Sequence, residues 1–250
     1  MASDEILAIE VRGEVDEVTL NRPERLNALN QPLTDELLCY FEGKRRDDTT
    51  RVIILKGAGR GFCSGADLKA SGQPDRLRDG PNGDWVLRDM LLAMRACPQP
   101  IIALVHGAAA GGGLAMALCS DVIVAGESAA FHPAFIKIGL SGSELGVSWR
   151  LQRTIGVSRA REMLLTGRPM SAAEALHTGL VSAVVSDEGL LDHGRMLADE
   201  MLQAAPDALR VSKRTFDATL SAPDFATALE LEERGQMLMI RAGRVRATAG

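Results

Sequence analysis

Apolar runs alternate with amphipathic stretches and glycine-rich loops over the first two thirds of the chain. The pattern predicts two short strands joined by a turn in "ILAIEVRGEVDEVTLNRP", then buried strands in "RVIILKG", "CPQPIIALVHG" and "DVIVAG". Helical spacing predicts a helix in "NQPLTDELLCYFEGKRRDD", and a second helix whose apolar side carries Val86, Leu87, Met90, Leu91 and Met94. Strands that alternate with helices favour an α/β fold with parallel strands and crossover helices.

The pattern becomes more helical after "SRAREMLLTG". Ser171 and Glu174 have the spacing of a capping box, "LVSAVV" predicts one last strand, and three amphipathic helices fill most of the remainder. A boundary near Asp187 therefore divides a core of residues 1–187 from a helical region of residues 188–250. The apolar faces of "LLDHGRMLADEML" and "FATALELEERGQMLMI" predict that this second region mediates oligomerisation.

Composition narrows the class of protein. The net charge of −5 argues against a general nucleic-acid-binding protein, and no apolar run is long enough to span a membrane. The start "MASDEILAIE" lacks the basic and apolar regions of a signal peptide, so we expect a cytoplasmic protein. The wide spacing of the cysteines predicts reduced thiols at Cys39, Cys63, Cys97 and Cys119.

Two glycine-rich loops are the first candidates for chemistry. "GAGRGFCSGADL" and "HGAAAGGGLAMAL" each follow an apolar strand and lead into a helix. Backbone N–H groups at a helix start are unpaired, and two of them that converge on one point form an oxyanion hole. Glycines that serve only packing in a tight turn would leave the same pattern, so the residues by themselves leave both interpretations open.

Several other kinds of site fit poorly. Neither loop matches a phosphate-binding G-x-x-x-x-G-K-[ST] or a dinucleotide fingerprint, and the chain lacks the G-x-S-x-G elbow of serine hydrolases. The histidines lie too far apart in sequence for a short-spaced metal motif, so we expect no metal site and assign packing or surface roles to His106, His132, His177 and His193.

Five motifs together resemble the enoyl-CoA hydratase/isomerase (crotonase) family: "NRPERLNAL", "GAGRGFCSGADL", "HGAAAGGG", "FHPAFIKIGL" and "LTGRPMSAAEALHTGLVSAVV". The likeness runs in register from about Leu20 to Val185. It implies an α/β fold, a right-handed spiral of strand–strand–helix turns followed by a helical trimerisation region, and a homotrimer or a hexamer. It also implies an acyl-CoA substrate, with coenzyme A as part of that substrate and no tightly bound cofactor.

The resemblance assigns roles to individual residues. The two oxyanion N–H groups would belong to Ala66 and Gly112, while Gly111 and Gly113 would shape the turn. The positions that handle coenzyme A would be Arg25, Asn27, Ala28, Ala66, Asp67, Leu68 and Lys69. Arg25 and Lys69 fit either phosphate partners or solvated surface charges.

The catalytic acids differ from those of family hydratases. One hydratase glutamate position holds Ala115 here, and the other holds Phe135 or Ile136. A single acid, Glu144 in "GLSGSELGVSWRLQRTIG", falls where some family isomerases and the related dehalogenase carry an aspartate. Near the acyl chain this carboxylate would be shielded from water and could act as a base. The alternative is that it caps the following helix.

Three functions remain open at this point. One base suits double-bond isomerisation, because a proton leaves one carbon of an enoyl chain and returns to another. A hydratase that works with Glu144 and further groups is the second, and a non-catalytic acyl-CoA-binding protein is the third. We further expect Trp149 to pack beside Glu144, and Trp85 to lie over a mobile stretch at Ser71 to Asp84. The carboxyl end, "RAGRVRATAG", lacks the aromatic and basic final helix with which family members often complete a neighbouring subunit's CoA site.

Overall fold

A six-stranded sheet runs through the centre of the protein. The computed structural model describes residues 5–67 and 83–243, with side chains omitted for residues 83–85. The strands are β1 (Leu7–Arg12), β2 (Val15–Leu20), β3 (Val52–Gly57), β4 (Ile101–Val105), β5 (Ala108–Ala110), β6 (Val122–Gly126), β7 (Ala130–His132), β8 (Met170–Ser171) and β9 (Ala183–Val185). The central sheet has the order β1-β2-β3-β4-β6-β9, and all its pairs except antiparallel β1–β2 are parallel. The predicted α/β arrangement with parallel strands is confirmed.

Helices connect and cover the strands. They are α1 (Gln31–Lys44), α2 (Gly83–Ala96), α3 (Gly112–Cys119), α4 (Val147–Thr154), α5 (Val157–Thr166), α6 (Ala172–His177), α7 (Leu190–Leu202), α8 (Pro206–Thr219) and α9 (Phe225–Arg241). The Asn30 side chain caps α1 by accepting from Leu33 N at 3.1 Å. The predicted capping box is present at α6, where the Ser171 and Glu174 side chains each bond the other's backbone.

The core lies on both faces of the central sheet, which explains why the inner strands are apolar throughout. On one face Ile53 and Leu55 join the large cluster that includes α1, α2 and α3. On the other face Val52 and Ile54 pack with Leu190 of α7. The first helix of the predicted helical region, α7, therefore packs against the central sheet. The predicted boundary near Asp187 stays a prediction.

A second, smaller sheet positions the glycine turn. The pattern of apolar and polar residues did not predict its strands. Its order is β5-β7-β8, with β5–β7 parallel and β7–β8 antiparallel. Strands of two or three residues are too short to show an alternation of apolar and polar positions. Across the described ranges, no helix is both long and apolar enough to cross a membrane.

Candidate active site

A cavity of about 1010 Å³ opens between α1, α2, α3 and α4. Its described wall is mostly apolar, with Leu29, Leu87, Leu118 and Phe135 among the lining residues. The backbone of Gly65–Ala66 and of Gly111–Gly112 forms another part of the wall. An apolar pocket with a few polar groups is the usual form of a small-molecule site.

The two glycine-rich loops are joined by backbone hydrogen bonds. Cys63 N donates to Ala108 O at 3.0 Å, and Ala110 N donates to Cys63 O at 2.9 Å. On its other side the first loop pairs with Leu29, which donates to Gly65 O at 2.7 Å and accepts from Asp67 N at 2.9 Å. The loop that carries Ala66 is thus held between two backbone segments.

Among the described residues, no hydrogen bond uses the N–H group of Ala66 or that of Gly112. In the parallel bridge between Leu29 and Ala66, the bonds to Leu29 come from the neighbours of Ala66, so its own N–H points the other way. Gly112 is the first residue of α3, so its N–H has no acceptor within the helix and lies at the positive end of the dipole. A Cβ atom built on Gly112 would lie 3.9 Å from Ala66 N, and one built on Gly65 would lie 3.3 Å from Gly112 N, so the start of α3 lies against the loop that carries Ala66.

The three glycines differ in what makes them necessary. Gly111 has φ +51°, a backbone conformation that other residues rarely adopt. A Cβ atom on Gly113 would lie 2.3 Å from Cys63 O, so the helix start touches the first loop too closely for a side chain. The atoms nearest to a Cβ atom on Gly112 would be in the side chains of Leu29 and Leu87, at 3.1 and 3.4 Å, and both residues line the cavity.

The resemblance assigns the two hydratase glutamates to Ala115 and to Phe135 or Ile136. Ala115 and Phe135 line this cavity, whereas Ile136 is not among the described lining residues. Ala115 and Phe135 are both buried in its wall, and neither offers a proton-transfer group. Glu144 is the only carboxylate among the described lining residues, and Trp149 lines the same cavity.

The structure differs from the expectation that the Glu144 side chain is shielded from water, because that side chain is exposed. The backbone turns sharply at Leu145 (φ +49°) and Gly146 (φ +75°), which keeps Glu144 where solvent reaches the wall. The side chain also does not cap α4. That helix begins at Val147 without a side-chain cap, and Glu144 Oε1 accepts only from Leu145 N, at 3.3 Å, among the described groups.

The two segments that the resemblance assigns to coenzyme A lie side by side. Arg22 joins them, because its guanidinium donates to Ala28 O and pairs with Asp67 at 3.0 Å. The amide of buried Asn27 donates to the carbonyl oxygens of Ala58, Gly61 and Phe62 at 2.8 to 3.1 Å, so this side chain holds the loop.

The remaining CoA candidates are less constrained. Arg25 is exposed at the end of a short 3-10 turn, where its guanidinium meets solvent. Leu68 and Lys69 lie outside the described residues. The stretch predicted to be mobile, Ser71 to Asp84, also lies outside them up to residue 82, and its last two residues belong to α2. The side chain of Trp85 is also outside the description. Sequence reasoning missed Arg22, because an arginine before a proline carries no recognisable signal.

Known proteins resemble this chain along nearly all of its length. The profile of the enoyl-CoA hydratase/isomerase family matches residues 10–246. A probable enoyl-CoA hydratase of Mycobacterium bovis is 40% identical over 240 residues, which cover 94% of this chain and 84% of the relative. The 1,2-epoxyphenylacetyl-CoA isomerase of Escherichia coli is 35% identical over 250 residues, which cover 97% and 93% of the two chains.

Solved structures show the same likeness. An enoyl-CoA hydratase from Bacillus anthracis superposes with a TM-score of 0.89 at 32% identity, over 95% of this chain and 92% of that chain. A monofunctional enoyl-CoA isomerase from Mycobacterium smegmatis superposes with a TM-score of 0.78 at 40% identity, over 90% and 98%. The spiral fold expected from the resemblance is confirmed.

Proposed function

This chain belongs to the enoyl-CoA hydratase/isomerase family, and from that premise we propose that it binds enoyl-CoA thioesters and moves their double bond with Glu144 as the single base. One observation carries the proposal. Among the described residues that line the cavity, Glu144 is the only carboxylate, and it shares the cavity with Ala66 and Gly112. A reaction that needs one base and no held water fits this set of groups.

The chemistry follows from those three residues. The thioester oxygen accepts hydrogen bonds from the N–H groups of Ala66 and Gly112. The Glu144 carboxylate removes a proton from the α-carbon, and the electron pair moves onto the thioester oxygen, where the two donors stabilise the enolate. The proton then returns from Glu144 to the γ-carbon, and the double bond shifts without oxidation, reduction or water. Loss of one oxyanion donor typically raises the barrier by about 2.7–4 kcal/mol.

A hydratase is the second candidate, because the relatives from Mycobacterium bovis and Bacillus anthracis are named hydratases. In this chain, however, neither Ala115 nor the second position, Phe135 or Ile136, offers a carboxylate to hold a water molecule. Proton transfer by Glu144 with help from other groups would then be required.

The remaining proposals concern binding, assembly and location. We place coenzyme A along Arg25, Asn27, Ala28, Ala66 and Asp67, continuing to Leu68 and Lys69, since the two segments adjoin the cavity through the Leu29–Ala66 bridge. A homotrimer or hexamer is supported by exposed apolar side chains on α8 and α9.

A cytoplasmic location is supported by four free thiols. Burial raises the pKa of Cys63 to about 12 and that of Cys119 to about 11, which keeps these two thiols protonated.

Proton exchange in deuterated water tests the function. Hexanoyl-CoA, 2-hexenoyl-CoA and 3-hexenoyl-CoA are incubated with the wild type and with Glu144→Gln. NMR follows the α and γ protons and any hydroxylated product. We expect exchange and double-bond migration without hydration, slowed by roughly 10²- to 10⁴-fold in Glu144→Gln. Glu127→Gln, which removes an exposed carboxylate outside the described cavity wall, serves as the matched control.

The other outcomes each contradict the proposal. A 3-hydroxyacyl product would make the protein a hydratase. Exchange that persists at the wild-type rate in Glu144→Gln would assign the base elsewhere. Tight binding of the three thioesters without exchange, double-bond migration or hydration would identify a non-catalytic acyl-CoA-binding protein.

A further inference from the structure

Arg150 is one of three arginines in the described wall of a mostly apolar cavity, together with Arg88 and Arg95. It lies on α4, six residues after Glu144, and its side chain is half-buried. Among the described residues, no acceptor forms a hydrogen bond or ion pair with its guanidinium. Burial lowers the pKa of Arg150, and the neighbouring charge of Arg95 lowers it further, outweighing the attraction of Asp121. A cation in this position lacks the partner that usually offsets its desolvation.

The charged residues near Arg150 already have other partners. Arg95, which also lines the cavity, pairs with Asp217 and donates to Cys119 O at 3.2 Å. Asp121 accepts from Lys213 Nζ and from Ile101 N, each at 2.8 Å. These contacts complete a structural network under the cavity floor and leave Arg150 outside it.

Arg150 lies away from the oxyanion groups. Arg150, Arg95 and Cys119 are electrostatic neighbours, and Cys119 is the last residue of α3, whereas Gly112 is the first. With a rise of about 1.5 Å per residue, the two ends of this helix are about 10 Å apart. An acyl chain that runs from a thioester oxygen at Gly112 along α3 would therefore bring its distal end towards Arg150.

We propose that Arg150 binds an anionic group at the distal end of the acyl chain, so that the preferred substrates are enoyl-CoA thioesters whose chains end in a carboxylate. This inference rests on the proposed use of the cavity for acyl-CoA. A carboxylate would supply the missing acceptor with the two-pronged geometry that a guanidinium matches. The surrounding apolar wall would strengthen the pair by excluding water.

Equilibrium binding tests the inference without requiring turnover. Calorimetry compares adipoyl-CoA with hexanoyl-CoA, which have the same chain length but end in a carboxylate and a methyl group. We expect the wild type to bind adipoyl-CoA at least about tenfold more tightly, or about 1.4 kcal/mol. Arg150→Met should abolish this preference. Arg161→Met, which removes an exposed arginine of α5 outside the described cavity wall, should keep it.

Three results would overturn the inference. Equal or tighter binding of hexanoyl-CoA by the wild type would exclude carboxylate recognition. A preference that survives in Arg150→Met would assign the recognition to another group. A change of oligomeric mass in Arg150→Met, measured by sedimentation with no change in the preference, would assign Arg150 to a subunit contact. Failure of both thioesters to bind would contradict the proposed function itself, whereas binding without preference contradicts this inference alone.

Discussion

At the scale of single residues, each glycine of the triplet meets a separate requirement. Gly111 supplies a positive φ, and Gly113 supplies contact between α3 and the loop at Cys63. Gly112 faces the cavity, where only side chains of Leu29 and Leu87 limit the space. The chain thus accepts the conformational cost of three glycines at one turn because the turn must be both sharp and close to its neighbour.

Alanine substitutions separate packing from ligand binding. Gly113→Ala should destabilise the protein by at least about 3 kcal/mol, because its Cβ would overlap backbone atoms that cannot move aside. Gly112→Ala should change stability by less than about 1 kcal/mol, yet weaken hexanoyl-CoA binding by about tenfold, since the methyl group enters the cavity. Urea unfolding and calorimetry measure the two effects. Equal stability losses in both variants would show that Gly112 is also a packing glycine.

At the scale of elements, hydrogen bonds between neighbouring segments position the candidate groups. The loop at Ala66 is fixed by Leu29 on one side and by Ala108 and Ala110 on the other. Asn27 fastens the preceding turn by its side-chain amide. Because these bonds join segments that are distant in sequence, the site exists only when the spiral is assembled.

The capping box of α6 predicts a pH effect. Hydrogen bonds from the backbone and side chain of Ser171 lower the pKa of Glu174. A lowered pKa in the folded state means that Glu174 stabilises the protein above its unfolded pKa, and that this contribution is lost as the pH falls through the folded pKa. The free energy of unfolding of Glu174→Gln should therefore be lower than that of the wild type near pH 7, and the difference should shrink between about pH 5 and pH 3.

Urea unfolding at several pH values measures this difference. Glu188→Gln, which neutralises an exposed glutamate just before α7, is the matched control and should show no comparable pH dependence. A Glu174→Gln difference that stays constant down to pH 3 would contradict the role of the charged carboxylate in the cap.

At the scale of the whole molecule, the last two helices carry an unusual amount of exposed apolar surface. The exposed apolar side chains on them are Phe216, Phe225, Leu229, Met237, Leu238 and Ile240, and Leu220 directly after α8 is exposed as well. By contrast, α7 is covered on the side that faces the sheet, where Arg195 also forms a two-pronged ion pair with buried Glu17. The assembly proposal therefore applies to α8 and α9 rather than to the complete helical region.

Charge introduced on α9 tests the assembly. Leu238→Glu should shift the protein towards monomers, because an unpaired carboxylate in a subunit contact costs several kcal/mol. Sedimentation equilibrium should report a trimer or hexamer for the wild type. Val11→Glu places the same charge on an exposed apolar site of the edge strand β1 and should leave the mass unchanged. A wild-type monomer would refute the assembly proposal.

Local signals in the sequence predicted most of the elements. The strands and helices of the central sheet follow from apolar runs and capping residues, because both are properties of neighbouring residues. The strands β5, β7 and β8 escaped prediction because three residues or fewer show no periodicity. The hydrogen bonds of Arg22 and Asn27 were not predicted either. Their acceptors lie in segments that are distant in sequence and come close only in the folded protein.

By itself, the sequence determined the α/β class and the family. It also showed that Ala115 and either Phe135 or Ile136 stand where family hydratases carry glutamates, and that Glu144 is present. These are matters of residue identity and local spacing. Only the tertiary structure decided that Glu144, Ala66, Gly112 and Arg150 line one cavity, that Glu144 is exposed, and that Arg150 has no described partner. The reason is physical: cavity shape, burial and charge pairing depend on atoms that are far apart in the chain and meet only when the helices pack on the sheet.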